Sequence, residues 1–309
     1  MDQLMNSSKR ILITGSNGFL GQKLTDLLVS ENKYSILAVS KSVNRNPKTD
    51  GYSFRQLDIT IEEDLASLIA DFNPTHIVHT AAMTSVEACE EHAEACQKLN
   101  VDSVAFLAER CKAAGIHLTF ISTDFVFDGK AGPYSEQDPA NPVNAYGHSK
   151  LAAEDAITKS GCEAAILRTI LVYGVIADKK RSNLVLWAKN KLENKEEINV
   201  VNDQWRMPTW VDDLAAAALL SVEKKAQGIY HISGDSMYSI LEVIMEVAEY
   251  WNLDKTLVRP ISAATIGQAE NRPQTTGFIL EKAQQQLGYV PTSLLQSLEE
   301  INKQLHLIN

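Results

Sequence analysis

Short runs rich in apolar, aromatic and β-branched residues recur along the first half of the chain, several of them followed by a stretch in which apolar residues return every three or four positions. The runs 10–14, 35–40, 53–57, 76–80, 117–121 and 164–174 predict strands. Between them Leu20, Leu24, Leu27 and Leu28, the segment 62–71 and the segment 86–114 keep the helical period. Strand and helix alternate throughout, which predicts an α/β protein with a Rossmann-like, doubly wound parallel sheet. Beyond Gly174 the pattern changes. A helix over 183–191, a strand over 198–201, an alanine-rich helix reaching Ser221, a strand over 228–232 and helices over 240–251, 280–287 and 293–305 are expected there. Residues 1–174 are thus assigned to a nucleotide-binding domain, completed by segments within 205–235. Residues 175–309 form mainly a smaller substrate-binding domain.

The first strand runs straight into Gly15-Ser16-Asn17-Gly18-Phe19-Leu20-Gly21 and then a helix. Strand, glycine turn and helix in this order form a site for a dinucleotide pyrophosphate: Gly15 permits the turn, Gly18 bares backbone N–H groups, and Gly21 lets helix and strand pack closely. All seven residues of the turn are candidate cofactor contacts. The second strand ends in Ser40-Lys41-Ser42, with Arg45 nearby, and places no carboxylate where a NAD site would hold the ribose 2′-OH. Lys41 or Arg45 could pair with a 2′-phosphate. NADPH is therefore the expected cofactor, with NADH as the alternative; the competing view is that these cations only decorate a solvated loop. Asp58 and Ile59 are expected to face the adenine edge, and the small residues Ala81 and Ala82, with Thr84 beyond, leave the cofactor room.

Candidate chemistry lies between Ser122 and Lys150. Ser122-Thr123 closes the fifth apolar run, at a strand end, where a parallel sheet places its reactive groups. If a helix opens after Asn144, Tyr146 and Lys150 share one face, one turn apart. A lysine cation about 4 Å from a phenol, at an effective dielectric of ~20, is worth roughly 4 kcal/mol, about three units toward phenolate. Such a tyrosine exchanges a proton with a carbonyl or alcohol at neutral pH. The turn-rich segment 132–142 reads as a loop over this site. Thr209 and Asp212 fit a capping box, a structural explanation for Thr209.

Composition narrows the alternatives. With 45% hydrophobic and 22% charged residues the 309-residue chain reads as a soluble enzyme. Its net charge of -10 argues against nucleic acid as a partner. No apolar run approaches a membrane span, and residues 1–10 lack a signal-peptide pattern, so a cytoplasmic protein is expected. Cys89, Cys96, Cys111 and Cys162 form no Cys-x-x-Cys and read as reduced structural thiols. His76 and His79, three apart on a strand, face opposite sides, and no metal site is assigned.

These motifs together resemble the extended short-chain dehydrogenase/reductase family, and more closely its dTDP-4-dehydrorhamnose reductase branch. The resemblance rests on Gly15-x-x-Gly18-x-x-Gly21, on Ser122-Thr123-Asp124-Phe125-Val126-Phe127-Asp128-Gly129, and on Pro142-x-Asn144-x-Tyr146-Gly147-x-Ser149-Lys150-x-x-x-Glu154. Arg168-Thr169-x-x-Val172-Tyr173-Gly174, Asp203-Gln204-x-x-x-Pro208-Thr209 and Arg272-Pro273 extend it. It implies a reductase of a nucleotide-linked 4-keto sugar. Tyr146 would donate the proton, Lys150 would lower its pKa and bind the nicotinamide ribose, Thr123 would bond the ketone oxygen, and Asn100 would help through a bound water. Phe125, Leu171, Arg206 and Arg272 would meet the substrate.

Two positions depart from the branch, which usually carries tryptophan where Leu171 stands and glycine where Arg206 stands; both lie near the expected sugar pocket. The branch also resembles the regulatory subunit of methionine adenosyltransferase, so a non-catalytic NAD(P)-binding subunit is an alternative. An epimerase or dehydratase is another, although a dehydratase would normally carry an acidic pair after the threonine, where Asp124-Phe125 stands. A homodimer is compatible with all three.

Overall fold

The computed structural model describes residues 9–177 and 182–308. Its centre is a seven-stranded parallel sheet. Six strands follow in chain order: β1 Arg10–Thr14, β2 Ser35–Ser40, β3 Ser53–Gln56, β4 His76–His79, β5 His117–Thr123 and β6 Ala164–Thr169. The seventh, Gly228–Ile232, joins the edge beside β6, giving the order 228–232, β6, β5, β4, β1, β2, β3. Strands reach out on both sides of β1, and the resulting switch point lies between β1 and β4, above which a nucleotide fold opens its cleft.

The central strands are apolar on both faces because helices cover both. On one face Ile11, Ile13, Val78, Ala165 and Leu167 pack with the Phe19–Ser30 and Val211–Lys224 helices. On the other, Leu12, Ile77, Leu118 and Ile166 pack with the Glu62–Phe72, Ser103–Ala114 and Ala145–Ser160 helices. A separate apolar cluster builds the C-terminal lobe from the Leu184–Glu193, Ile240–Tyr250 and Leu294–Ile308 helices and the parallel pair Ile198–Val201 and Val258–Ile261.

Four elements differ from the sequence reading. The helices expected over 86–114 are Val86–Glu91, Ala93–Gln97 and Ser103–Ala114, with an unexpected π-turn, Lys98–Asp102, before the last. The run 164–174 breaks after Thr169: Leu171 adopts a left-handed φ of 40°, and Val172–Tyr173 pairs instead with Thr209–Trp210. Thr209 is not a cap. Its hydroxyl donates to the Ile170 carbonyl at 2.7 Å, and the following helix starts at Val211. Near 280–287 the described helical segment is chiefly a π-turn, Ala283–Leu287. The basic triplet Lys179-Lys180-Arg181 lies outside the described residues.

Candidate active site

A cleft of about 1440 Å³ opens between the two lobes. The glycine turn forms one end of it. Gly15 holds φ 71°, and its carbonyl accepts from Gly18 N at 2.7 Å. A Cβ on Gly21 would collide with that same carbonyl oxygen, so the first helix turn can pack onto the strand end only with glycine there. Ser16 is buried, and its hydroxyl has no hydrogen-bond partner among the described residues. Asn17 turns away from the turn to hold the next loop, donating to Ser42 Oγ at 3.0 Å and the Val43 carbonyl at 2.7 Å, and accepting from Arg45 N at 2.8 Å.

Phe19, Leu20, Ser40, Lys41, Asp58, Ile59, Ala81, Ala82 and Thr84 line the same cleft. Lys41 Nζ lies 2.8 Å from Asp58. Burial pushes the Asp58 carboxyl up, but this ion pair and the donors of Thr60 outweigh it and leave it lowered. Its Oδ1 is engaged by the amide and hydroxyl of Thr60, so the carboxylate is committed to its own loop.

Across the cleft, the Ala145–Ser160 helix begins at Asn144, whose side chain accepts from Gly147 N at 2.8 Å. Gly147 lets the helix start press against the Phe125 carbonyl, where a Cβ would clash. Tyr146 and Lys150 share the inward face of this helix with Glu154, and all three are buried. Tyr146 meets Phe125 edge-on, and Thr123 stands beside its phenol.

The electrostatics differ from the spacing argument. Lys150 Nζ sits 3.9 Å from the centre of the Phe120 ring, a cation–π contact. Burial pushes Lys150 down to about 7, opposed by the charge of Glu154. Burial likewise pushes the Tyr146 phenol well above its ordinary value; the hydrogen bond to Thr123 opposes this and the charge of Asp124 adds to it. The expectation that Lys150 makes the phenol acidic within the protein is therefore corrected. Desolvation dominates both groups.

Asn100 stands on the π-turn, beneath the cleft rather than in it. Its amide donates to the Met83 carbonyl at 2.9 Å and Ser149 Oγ at 3.0 Å and accepts from Met83 N at 2.8 Å. The side chain ties the β4 end to the Tyr146 helix. Beside it Cys89 and Cys96 form a disulfide, which corrects the expectation of four reduced thiols; Cys111 and Cys162 are free.

On the C-terminal side, Leu171, Arg206 and Arg272 line the cleft together with Phe125. Arg206 is 4% exposed, and its guanidinium is spent on the carbonyls of Trp205, Gln274 and Pro273 at 2.7–3.1 Å. Arg206, expected to meet the substrate, stands in the cleft wall with its guanidinium hydrogen-bonded to these carbonyls. Arg272 pairs with Glu87 across the opening, and its buried Nε has no partner among the described residues.

The sequence reading assigned no role to Gln204, Gln268 or Asn183, which also face the cleft. It likewise gave none to Thr276, whose hydroxyl donates to Asp124. Glu154 appeared in the sequence only as the end of the family motif, one turn past Lys150, and was given no role. It takes a bidentate ion pair from Arg168, Nη2 to Oε2 at 2.6 Å, and a hydrogen bond from Ser122. No group of three or more His, Cys, Asp or Glu able to hold a metal ion occurs among the described residues. No helix among them is long and apolar enough to cross a membrane.

Comparison with known proteins places this arrangement. Residues 9–307 match the model of the RmlD substrate binding domain. The dTDP-4-dehydrorhamnose reductase of Aggregatibacter actinomycetemcomitans is 32% identical over 304 residues, covering 94% of this chain and 98% of that protein. The methionine adenosyltransferase 2 subunit beta of Bos taurus is 32% identical over 273 residues, covering 86% of this chain and 79% of that protein. Among solved structures, dTDP-4-dehydrorhamnose reductase from Bacillus anthracis in complex with NADP superposes with a TM-score of 0.85 at 28% identity, covering 96% of this chain and 99% of that one. A glycine-turn cleft, a buried Tyr-Lys helix and a match across nearly every described residue lead to one conclusion: the chain belongs to the RmlD substrate-binding domain family.

Proposed function

We propose that this protein reduces the ketone of a nucleotide-linked 4-keto sugar, using NADPH. The observation that carries the reading is that Thr123, Tyr146 and Lys150 line one cleft together with the glycine turn and the C-terminal residues Arg206 and Arg272. The protein fits the cofactor: Gly15 and Gly18 present backbone without side chains to the cleft, and the buried Ser16 hydroxyl lacks a partner among the described residues. The residues 15–21, Ser40, Lys41, Ile59, Ala81, Ala82 and Thr84 would hold it. When bound, NADPH supplies the hydride.

The chain's own residues handle the proton and the orientation. Tyr146, a phenol that keeps its proton at neutral pH, donates to the ketone oxygen. Lys150 acts on the cofactor ribose and on the phenolate left behind. Thr123 fixes the reacting oxygen against Tyr146. Asn100 acts indirectly, by locking the β4 end to the catalytic helix. Phe125 and Leu171 wall the sugar, and Arg272, with its unspent Nε, faces an anionic part of the substrate. Turnover of NADPH with a panel of nucleotide 4-keto sugars, beside Tyr146→Phe, tests the reading: consumption with one sugar, abolished in the variant, is the expected result.

A second reading, a cofactor-binding subunit without turnover, is favoured by the likeness to the methionine adenosyltransferase beta subunits. NADPH binding with no sugar turned over across the panel would favour it.

A further inference from the structure

The Thr123 hydroxyl has one proton, and two oxygens compete for it. In the structure it goes to Asp124 Oδ1 at 3.1 Å. The same hydroxyl accepts from Phe125 N at 3.2 Å and stands beside the Tyr146 phenol. Asp124 is 3% exposed, and its second oxygen, Oδ2, has two neighbours of its own. Thr276 donates to it, and Arg206 Nε stands 3.8 Å away. The groups that face this carboxyl therefore come from four places: Thr123 on β5, Tyr146 on its helix, Arg206 on the Trp205–Arg206 strand and Thr276 on the C-terminal loop. Thr276 is 0% exposed and stands 152 residues from Asp124 in sequence.

We propose that Arg206 and Thr276 are positioning residues that hold Asp124 as an oriented carboxylate, and so decide whether the Thr123 proton serves Asp124 or the reacting oxygen beside Tyr146. The inference rests on the reductase reading above. The Thr276 hydrogen bond and the Arg206 charge at Oδ2 draw charge from Oδ1 and loosen its hold on the Thr123 proton. They also oppose burial, which leaves the Asp124 carboxyl raised even though Arg206, Thr276 and Thr123 push it down. Without them Asp124 tends to its acid form, becomes a donor, and turns Thr123 out of register. Arg206, tied to the carbonyls of Pro273 and Gln274, makes this arrangement depend on the placement of the C-terminal loop.

Thr276→Val removes the hydroxyl at nearly constant shape, and Thr276→Ser keeps it. In the full chain, with the sugar that the parent reduces, Thr276→Val is expected to lower kcat on the order of tenfold, about 1.4 kcal/mol of barrier, with KM and the NADPH Kd within about twofold. Thr276→Ser is expected to behave as the parent. The 13C carboxyl titration of Asp124 is expected to move to higher pH in Thr276→Val. An unmoved carboxyl titration, an unchanged kcat, or a loss confined to KM each overturns the inference. If the parent reduces no sugar, it is the reductase reading that fails, and the carboxyl titration alone decides the network: a rise supports it and no shift overturns it.

Discussion

Lys150 rests over the ring of Phe120, its ammonium 3.9 Å from the ring centre, although Tyr146 stands one turn away on the same helix. The contact joins the Ala145–Ser160 helix to β5, and it leaves the cation in a place where burial outweighs every charge that would stabilise it. A lysine pushed from 10.5 to about 7 is a proton the folded protein holds less tightly than the unfolded chain.

The sign of the resulting pH dependence follows by linkage. Between about 7 and 10.5 the unfolded chain binds a proton at Lys150 that the folded chain does not, so stability contributed by this site rises with pH across that window. Below about 7 both forms are charged and the full penalty of burying the ammonium is present. Lys150→Met should therefore abolish a stability increment on the order of 2–3 kcal/mol between pH 7 and 9, at ~1.4 kcal/mol per unit. Urea unfolding of parent and variant at both pH values measures the difference.

Removing the proposed proton donor should spare binding and remove chemistry. Tyr146→Phe is expected to lower kcat by roughly 10²–10⁴-fold, the usual range for a general acid, while NADPH still binds. Thr123→Val should lose less, because it orients the reacting oxygen without supplying its proton. Stopped-flow hydride transfer beside calorimetric cofactor binding separates the two effects.

The Glu154–Arg168 pair is a stability element beneath the site. Both side chains are 4% exposed, and the carboxylate also accepts from Ser122 at the reactive strand end. Glu154→Ala leaves a buried guanidinium without its counter-charge and should cost about 3–5 kcal/mol of folding stability. Chemical denaturation would show the loss, and a variant as stable as the parent would refute the assignment.

Cofactor preference should turn on Lys41. Its ion pair with Asp58 is largely exposed and worth little by itself, so Lys41→Ala should leave stability within about 1 kcal/mol. A phosphate contact there would be charge-assisted and worth about 1.5–3 kcal/mol, so NADPH affinity should fall on the order of tenfold or more while NADH affinity stays. Titration of both cofactors against parent and variant decides it.

The alternation of apolar runs with helical periods determined the layered parallel sheet by itself, because each local pattern can bury its apolar face in only that arrangement. The Gly15, Gly18 and Gly21 spacing, in its strand-to-helix setting, likewise determined the turn, since backbone contact leaves no room for a side chain. The one-turn offset of Tyr146, Lys150 and Glu154 was equally local, and the structure places all three on one face.

What these groups face was decided only by the tertiary structure. Lys150 looked like the partner of a phenol until the Phe120 ring and the depth of burial were in place. Arg206 looked like a hand for the substrate until three carbonyls, two of them from a loop about 68 residues away, took its guanidinium. Asn100 became a tie rather than a cleft residue because a π-turn, invisible in periodicity, rotates it toward Met83 and Ser149. Thr276 had no signal at all, since its partner lies 152 residues earlier. Local spacing fixes direction along a helix or strand, whereas desolvation and hydrogen-bond partners depend on everything that folds around it, and those set the charge and orientation of each reacting group.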